Sequence, residues 1–133
     1  MAELFTGIKG KATDYVSEEV TAQAMASGGL PVYATPRMVA MMEYTAWSST
    51  EPFMDEDLST VGTHLDINHL AASPVGSRIT YESELTEISG RKLVFHVTAS
   101  DETGLIGEGT HERFLIDKQR FMDKARSRAE KNK

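Results

Sequence analysis

The chain of 133 residues contains no cysteine, which excludes disulfides, thiolate metal sites and cysteine nucleophiles. No apolar run approaches the roughly 20 residues that a helix needs to cross a bilayer, so no membrane partner is expected. The opening Met-Ala-Glu-Leu-Phe-Thr-Gly has no basic stretch followed by an apolar one; no secretory signal is expected, and a cytoplasmic location is the reading. There is no internal repeat and no low-complexity tract. What remains is ordinary: 40% hydrophobic and 26% charged residues are the proportions of a globular chain able to bury a core of its own. Residues 1–133 are read as a single domain with a basic tail at 118–133.

Charge is unevenly spread. The chain carries a net −6, yet Lys118, Arg120, Lys124, Arg126, Arg128, Lys131 and Lys133 place seven of its fourteen basic residues in the last sixteen positions, opposed there only by Asp123 and Glu130. A nucleic-acid binder spreads positive charge over a folded face with aromatic residues interleaved, so no nucleic-acid partner is expected. A solvated helical tail accounts for the segment; its functional reading is a contribution to holding a phosphorylated ligand.

The most informative stretch is Met38–Trp47, where Glu43 is the only charge. Met38, Met41, Met42, Thr45 and Ala46 recur at helical spacing, which predicts a helix buried on most of its circumference. A buried carboxylate needs a partner, a raised pKa or a chemical role. Thr35-Pro36 reads as the start of this helix, with Thr35 as N-cap and Pro36 as first helical residue, and the helix is expected over residues 36–49. Upstream, residues 12–21 predict a strand and Ser27-Gly28-Gly29-Leu30-Pro31 a loop. Downstream the period becomes two. Val61, Leu65, Ile67 and His69 are assigned to one face of a strand, with Gly62, His64, Asp66 and Asn68 on the other. Further strands are expected around residues 79–86, 93–100 and 105–116, joined by hairpin turns at Ser89-Gly90 and at residues 101–104. Gly107 and Gly109 point to a bulge or a close backbone approach. A meander of strands with one face to cover and one apolar helix to cover it implies an α+β architecture, an antiparallel sheet wrapped around a central helix. His64 and Asp66 lie on the face opposite His69, and His96 and His111 fall in other strands without ligand spacing, so no metal is expected.

Four stretches carry a resemblance: Tyr33-Ala34-Thr35 leading to Met42-Glu43-Tyr44-Thr45-Ala46; Val61-Gly62-Thr63; His69-Leu70-Ala71-Ala72-Ser73-Pro74-Val75-Gly76; and Gly107-Glu108-Gly109-Thr110-His111-Glu112-Arg113. In this order they resemble the hotdog-fold acyl-CoA thioesterases, most closely the fluoroacetyl-CoA thioesterase type. The resemblance implies a homodimer with the active site at its interface, an acyl-CoA substrate, no cofactor, and Thr35, Glu43 and His69 as the catalytic set. It further implies that Gly62 offers a backbone N–H or space at the thioester carbonyl, and that Arg113 orients or neutralises nearby. The chemistry suits these residues: thioester hydrolysis needs an activated water or nucleophile and a stabilised oxyanion. Each has a plain alternative: a capping hydroxyl for Thr35, relief of crowding for Gly62, an ion pair with Glu112 for Arg113. If residues 35–43 are all helical, Thr35 and Glu43 lie about 12 Å apart along the axis, so one protomer does not bring both to one atom without help. A non-catalytic acyl-CoA binding domain and an enoyl-CoA hydratase of the same fold are the alternatives, the latter opposed by the absence of an Asp-x-x-x-x-His element. One departure concerns specificity. The fluoroacetyl-specific enzymes carry lid phenylalanines where this chain has Ala26 and Gly29, so a different or broader acyl group is expected.

Overall fold

A computed structural model describes residues 3–131. Strand β1 (Lys9–Tyr15) is followed by a 3₁₀ turn (Glu18–Val20), helix α1 (Thr35–Thr50) and a second 3₁₀ turn (Glu51–Phe53). Strands β2 (Leu58–His69), β3 (Arg78–Ser89), β4 (Lys92–Asp101) and β5 (Gly104–Asp117) follow, and helix α2 (Lys118–Lys131) ends the described chain. The sheet order is β1-β3-β4-β5-β2 with every pairing antiparallel. Among the described residues no helix is long and apolar enough to cross a membrane.

The expected wrapping of a sheet around one helix holds, and the turns form where glycine allows them, with Gly90 and Gly104 at positive φ. The first strand lies earlier than the 12–21 expected, because residues from Glu18 onward turn away toward the loop that precedes α1. Alternation on β3 and β4 buries Ile79, Tyr81, Leu85, Leu93, Phe95, Val97 and Ala99 against Met38, Met42 and Ala46 of the helix. Each Ile, Leu, Val, Phe or Met side chain among them contributes about 1.5–3 kcal/mol when taken from water.

Two expectations about α1 need correction. Ala34 is the N-cap and Thr35 the first helical residue, so the Thr35 hydroxyl is not spent on capping. The helix is also less enclosed than its apolar run implies: Tyr44 and Trp47 are 50% and 37% exposed, leaving one flank open in the single chain. Glu43 lies toward that flank, with its side chain 40% exposed, and is therefore not the deeply buried carboxylate the sequence suggested.

The helix sits close to the sheet because glycines line its bed. A Cβ on Gly10 would lie 2.6 Å from the Thr45 carbonyl oxygen, and one on Gly107 would lie 2.6 Å from the Met38 sulfur. The close approach expected at Gly107 is thus met. Gly10→Ala strikes helix backbone, whereas Gly107→Ala strikes the far end of a flexible thioether. Gly10→Ala is expected to cost about 2 kcal/mol and to lower Tm by about 5–10 °C in thermal unfolding followed by circular dichroism. Gly107→Ala should fall by less; a Gly10→Ala Tm at or above that of Gly107→Ala would contradict this picture of the helix bed.

Candidate active site

Two groups of polar side chains lie along α1, one at its first turn and one two turns later. At the first turn, Thr35 Oγ1 is 2.7 Å from His69 Nδ1. Local structure holds this pair from both sides. His69 ends β2 opposite Gly107, and immediately beyond it the Leu70 and Ala71 amides both donate to the Ile106 carbonyl, at 2.6 and 3.2 Å, peeling the chain off the sheet. The departing segment is stitched to the run entering α1, with the Tyr33 amide donating to the Ser73 carbonyl at 2.9 Å and Ser73 Oγ donating to Asp101 at 2.8 Å. Burial pushes the His69 imidazole below its ordinary pKa, against a weaker backbone interaction at Ala71. Its Nε2 is buried without a hydrogen-bond partner among the described residues. A neutral ring with one nitrogen on a hydroxyl is the arrangement of a base beside a nucleophile. The first-turn amides of Thr35 and Arg37 have no intrahelical acceptor, and the helix dipole favours negative charge there. A cavity of about 300 Å³ adjoins the pair, lined among others by Ala22, Ser27, Val32 and Leu70.

The first turn is itself clamped. Arg37 makes a bidentate contact to Asp14 at 2.8 and 3.2 Å, Tyr33 Oη donates to the same carboxylate at 2.6 Å, and Tyr81 Oη lies 2.5 Å from Tyr33 Oη. Burial alone would raise the Asp14 carboxyl, but the hydrogen bonds from Arg37 and Tyr33 outweigh it and hold it below its ordinary range. Burial and the neighbouring Asp14 push the Tyr33 phenol up, so it stays protonated as a donor.

The second group gathers on the sheet beneath Glu43. Arg113 is 6% exposed, not the surface ion-pair residue that its neighbour Glu112 allowed. Its Nε donates to Thr60 Oγ1 at 2.8 Å, Nη2 to the Thr60 carbonyl at 2.9 Å, and Nη1 to His111 Nε2 at 3.1 Å. Nη1 also lies 3.9 Å from Glu43 Oε2, a loose ion pair. His111 is fully buried; it donates from Nδ1 to the His64 carbonyl at 2.8 Å, so Nε2 is left to accept from the guanidinium and the ring is neutral. Burial first, then the Arg113 charge, push its pKa down against the pull of that carbonyl. Glu43, Arg113, Ala40, Tyr44 and Trp47 line an open hollow of about 310 Å³.

A β-bulge reconciles Gly62 with His69. The pairing of β2 with β5 shifts between Gly62 and His64, leaving Thr63 as the extra residue. The bulge inverts the alternation, so Gly62 points to the helix together with Leu65, Ile67 and His69, while Val61 turns to the outer face opposite Phe114. Strict alternation had placed Val61 with His69 and Gly62 against it. A Cβ at Gly62 would lie 2.8 Å from Glu43 Oε2 and 3.3 Å from Arg113 Nη1. The glycine therefore makes room for the carboxylate.

All five residues singled out from the sequence face α1 or stand on it, but they form two centres. Thr35 pairs with His69; Glu43 gathers with Gly62 and Arg113. Both Thr35 and Glu43 are helical, so about 12 Å of axis separates the centres in one chain. Sequence reasoning passed over His111 and Thr60. Their signal was positional, since His111 and Arg113 are two apart on one strand and share a face.

The same fold recurs among known proteins. The sequence profile of FlK, the fluoroacetyl-CoA-specific thioesterase, matches residues 16–119. The fluoroacetyl-CoA thioesterase of Streptantibioticus cattleyicolor is 36% identical over 97 residues, 73% of this chain and 70% of that protein. The crystal structure of the fluoroacetyl-CoA thioesterase FlK superposes with a TM-score of 0.86 at 30% identity, covering 93% of this chain and 96% of that one. A thioesterase superfamily member from Thermus thermophilus superposes with a TM-score of 0.90 at 28% identity, covering 98% of this chain and 97% of that one. From the sheet wrapped around its helix to the sequence along it, this chain belongs to the family of fluoroacetyl-CoA-specific thioesterases, and with its hotdog fold it is an acyl-CoA thioesterase.

Proposed function

We propose that the chain hydrolyses its acyl-CoA through Thr35, His69 and Glu43, assembled across the interface of a homodimer. The observation that carries this is the 2.7 Å contact between Thr35 Oγ1 and His69 Nδ1, on an imidazole that burial keeps neutral. His69 takes the hydroxyl proton as Thr35 Oγ attacks the thioester carbonyl carbon. The oxyanion forms beside the free amides at the helix N-terminus. The C–S bond then breaks and the proton passes from His69 to the departing CoA thiolate. Glu43, held by Arg113 and given room by Gly62, takes a proton from the water that attacks the acyl ester. That proton is returned to Thr35 Oγ as the ester C–O bond breaks, which releases the acid and regenerates Thr35.

A second protomer supplies the missing proximity. The open flank of α1 carries small Ala40 between exposed Pro36 and Tyr44. Residue 39 lies midway between Thr35 and Glu43. Two copies of α1 crossing antiparallel near Val39 and Ala40 therefore set Thr35 of one protomer at the level of Glu43 of the other. β2 is an edge strand in this sheet, free to pair with its copy. As for the acyl group, the segment facing the Thr35–His69 cavity is Ala26-Ser27-Gly28-Gly29, with Ser27 on the cavity wall. No aromatic side chain in that segment closes the cavity, which favours acyl groups larger than fluoroacetyl.

Release of thiol from short-, medium- and aryl-acyl-CoAs tests the reading directly. Glu43→Gln should lose at least roughly a hundredfold in kcat with KM falling in step as acyl-enzyme accumulates, as for removal of the base that serves deacylation; wild-type turnover retained in Glu43→Gln would remove Glu43 from the mechanism. The acidic limb of kcat/KM should have its midpoint below 6.5, the ordinary histidine value, because catalysis needs the neutral ring and is lost as pH falls through the depressed pKa of His69. A midpoint above 6.5 would show that His69 is not the titrating base. Composite sites predict complementation as well. Glu43→Gln and His69→Asn, each inactive alone, should on 1:1 mixing through the unfolded state recover about a quarter of wild-type activity, since half the dimers form one intact site of two. No recovery would place the whole catalytic set within one protomer.

A further inference from the structure

Beyond the reacting centre, the end of β5 and the start of α2 enclose a groove of about 410 Å³. Its floor is apolar, formed by Leu58, Leu115 and the half-exposed ring of Phe121, and Arg91, Arg120 and Lys124 stand around it. Among the described residues none of these three cations forms an ion pair. The one carboxylate in the lining, Asp117, accepts from the Arg120 amide at 3.0 Å and so caps α2. Arg91 is held in place through its backbone, its carbonyl accepting from the Leu115 amide at 2.8 Å.

The charge continues out of the groove. Arg120, Lys124, Arg128 and Lys131 follow at intervals of four, four and three, so they share one face of α2. Like charges at these spacings oppose the helix, and no residue of α2 is buried to compensate. A basic stripe on an exposed helix, in a chain of net −6, concentrates the attraction for polyanions at one end of the molecule.

That end is aligned with the chemistry. Arg113, Leu115 and Asp117 lie on the same face of β5, and Asp117 is about 13 Å beyond Arg113 at the rise of a strand. A CoA thioester joins its reacting carbonyl to a nucleotide with a diphosphate and a ribose 3′-phosphate through a long flexible arm. We infer that the groove bounded by Arg91, Arg120 and Lys124 binds the phosphates of the CoA nucleotide, with Phe121 offering a face to its base. Guanidinium groups suit this ligand because their forked N–H donors match phosphate oxygens, and an aromatic face suits adenine. The inference rests on the acyl-CoA reading above.

The test uses the full chain carrying Arg91→Gln, Arg120→Gln and Lys124→Gln together. Its substrates are the acyl-CoA turned over best by the wild type and the N-acetylcysteamine thioester of the same acyl group, which has the reacting carbonyl but no phosphate. The triple variant should raise KM for the acyl-CoA roughly tenfold, from three partly exposed charge contacts, with kcat held and the KM of the short thioester unchanged. An unchanged KM for the acyl-CoA overturns the inference, as does an equal rise for both substrates, which reports damage to the site or fold. Calorimetric binding of adenosine 3′,5′-bisphosphate gives a readout independent of turnover. The wild type should bind it with an affinity that falls with salt, and the variant should bind roughly tenfold more weakly. Equal binding by the two proteins, or none by the wild type, overturns the inference even if hydrolysis is confirmed. Selective loss in the variant upholds the groove even if no thioester of the panel is hydrolysed.

Discussion

The seating of α1 in the curve of the sheet is the contact on which every other feature depends. Met38, Met42, Thr45 and Ala46 are fully buried there. Glycine at positions 10 and 107 removes the Cβ atoms that would otherwise hold helix and strands apart. Because the helix lies so close, side chains on its sheet-facing turns meet strand residues directly. Thr35 reaches the end of β2, and Glu43 reaches the middle of β2 and β5. A helix farther from the sheet would leave Thr35 without His69 and Glu43 without Arg113.

That closeness carries an electrostatic cost, a guanidinium at Arg113 that is almost wholly out of water. Burial of an unpaired charge is among the most expensive events in folding. Here the cost is offset locally by Thr60 through both its hydroxyl and its carbonyl, by the acceptor nitrogen of His111, and by the carboxylate of Glu43. Burial lowers the Arg113 pKa, while Glu43 acts to keep it high. The His111 tautomer follows from its neighbours: a carbonyl on Nδ1 and a cation on Nε2 leave the ring only one way to satisfy both. The guanidinium is thereby aimed, and the position of the Glu43 carboxylate is limited on one side by Arg113 and on the other by the backbone at Gly62.

The first turn of α1 is held by different means. Asp14 on β1 ties Arg37 and Tyr33, which flank Thr35 two residues to either side, and Tyr81 of β3 closes the network. The clamp anchors the first turn without drawing on the Thr35 hydroxyl, which is left to His69. Ala34 as N-cap serves the same end, since a capping threonine would have had its oxygen occupied by an amide.

Much of this was legible in the residues. Period-two alternation named the buried positions of β3 and β4, Gly90 and Gly104 marked the turns, and the run from Met38 to Trp47 announced the central helix, because these signals depend only on neighbours in the chain. The family resemblance likewise depended on local strings such as His69-Leu70-Ala71-Ala72-Ser73-Pro74. What the sequence could not decide were properties of pairs distant in the chain. The bulge at Thr63, which turns Gly62 and His69 to one face, follows from how β2 must register with β5. The exposure of Glu43 follows from which flank of α1 the sheet leaves uncovered, and the role of His111 from a carbonyl 47 residues away. Local pattern determined which elements form and which residues belong to them; tertiary packing alone decided which side chains meet, because burial and hydrogen bonding are settled only once the helix is seated against the sheet.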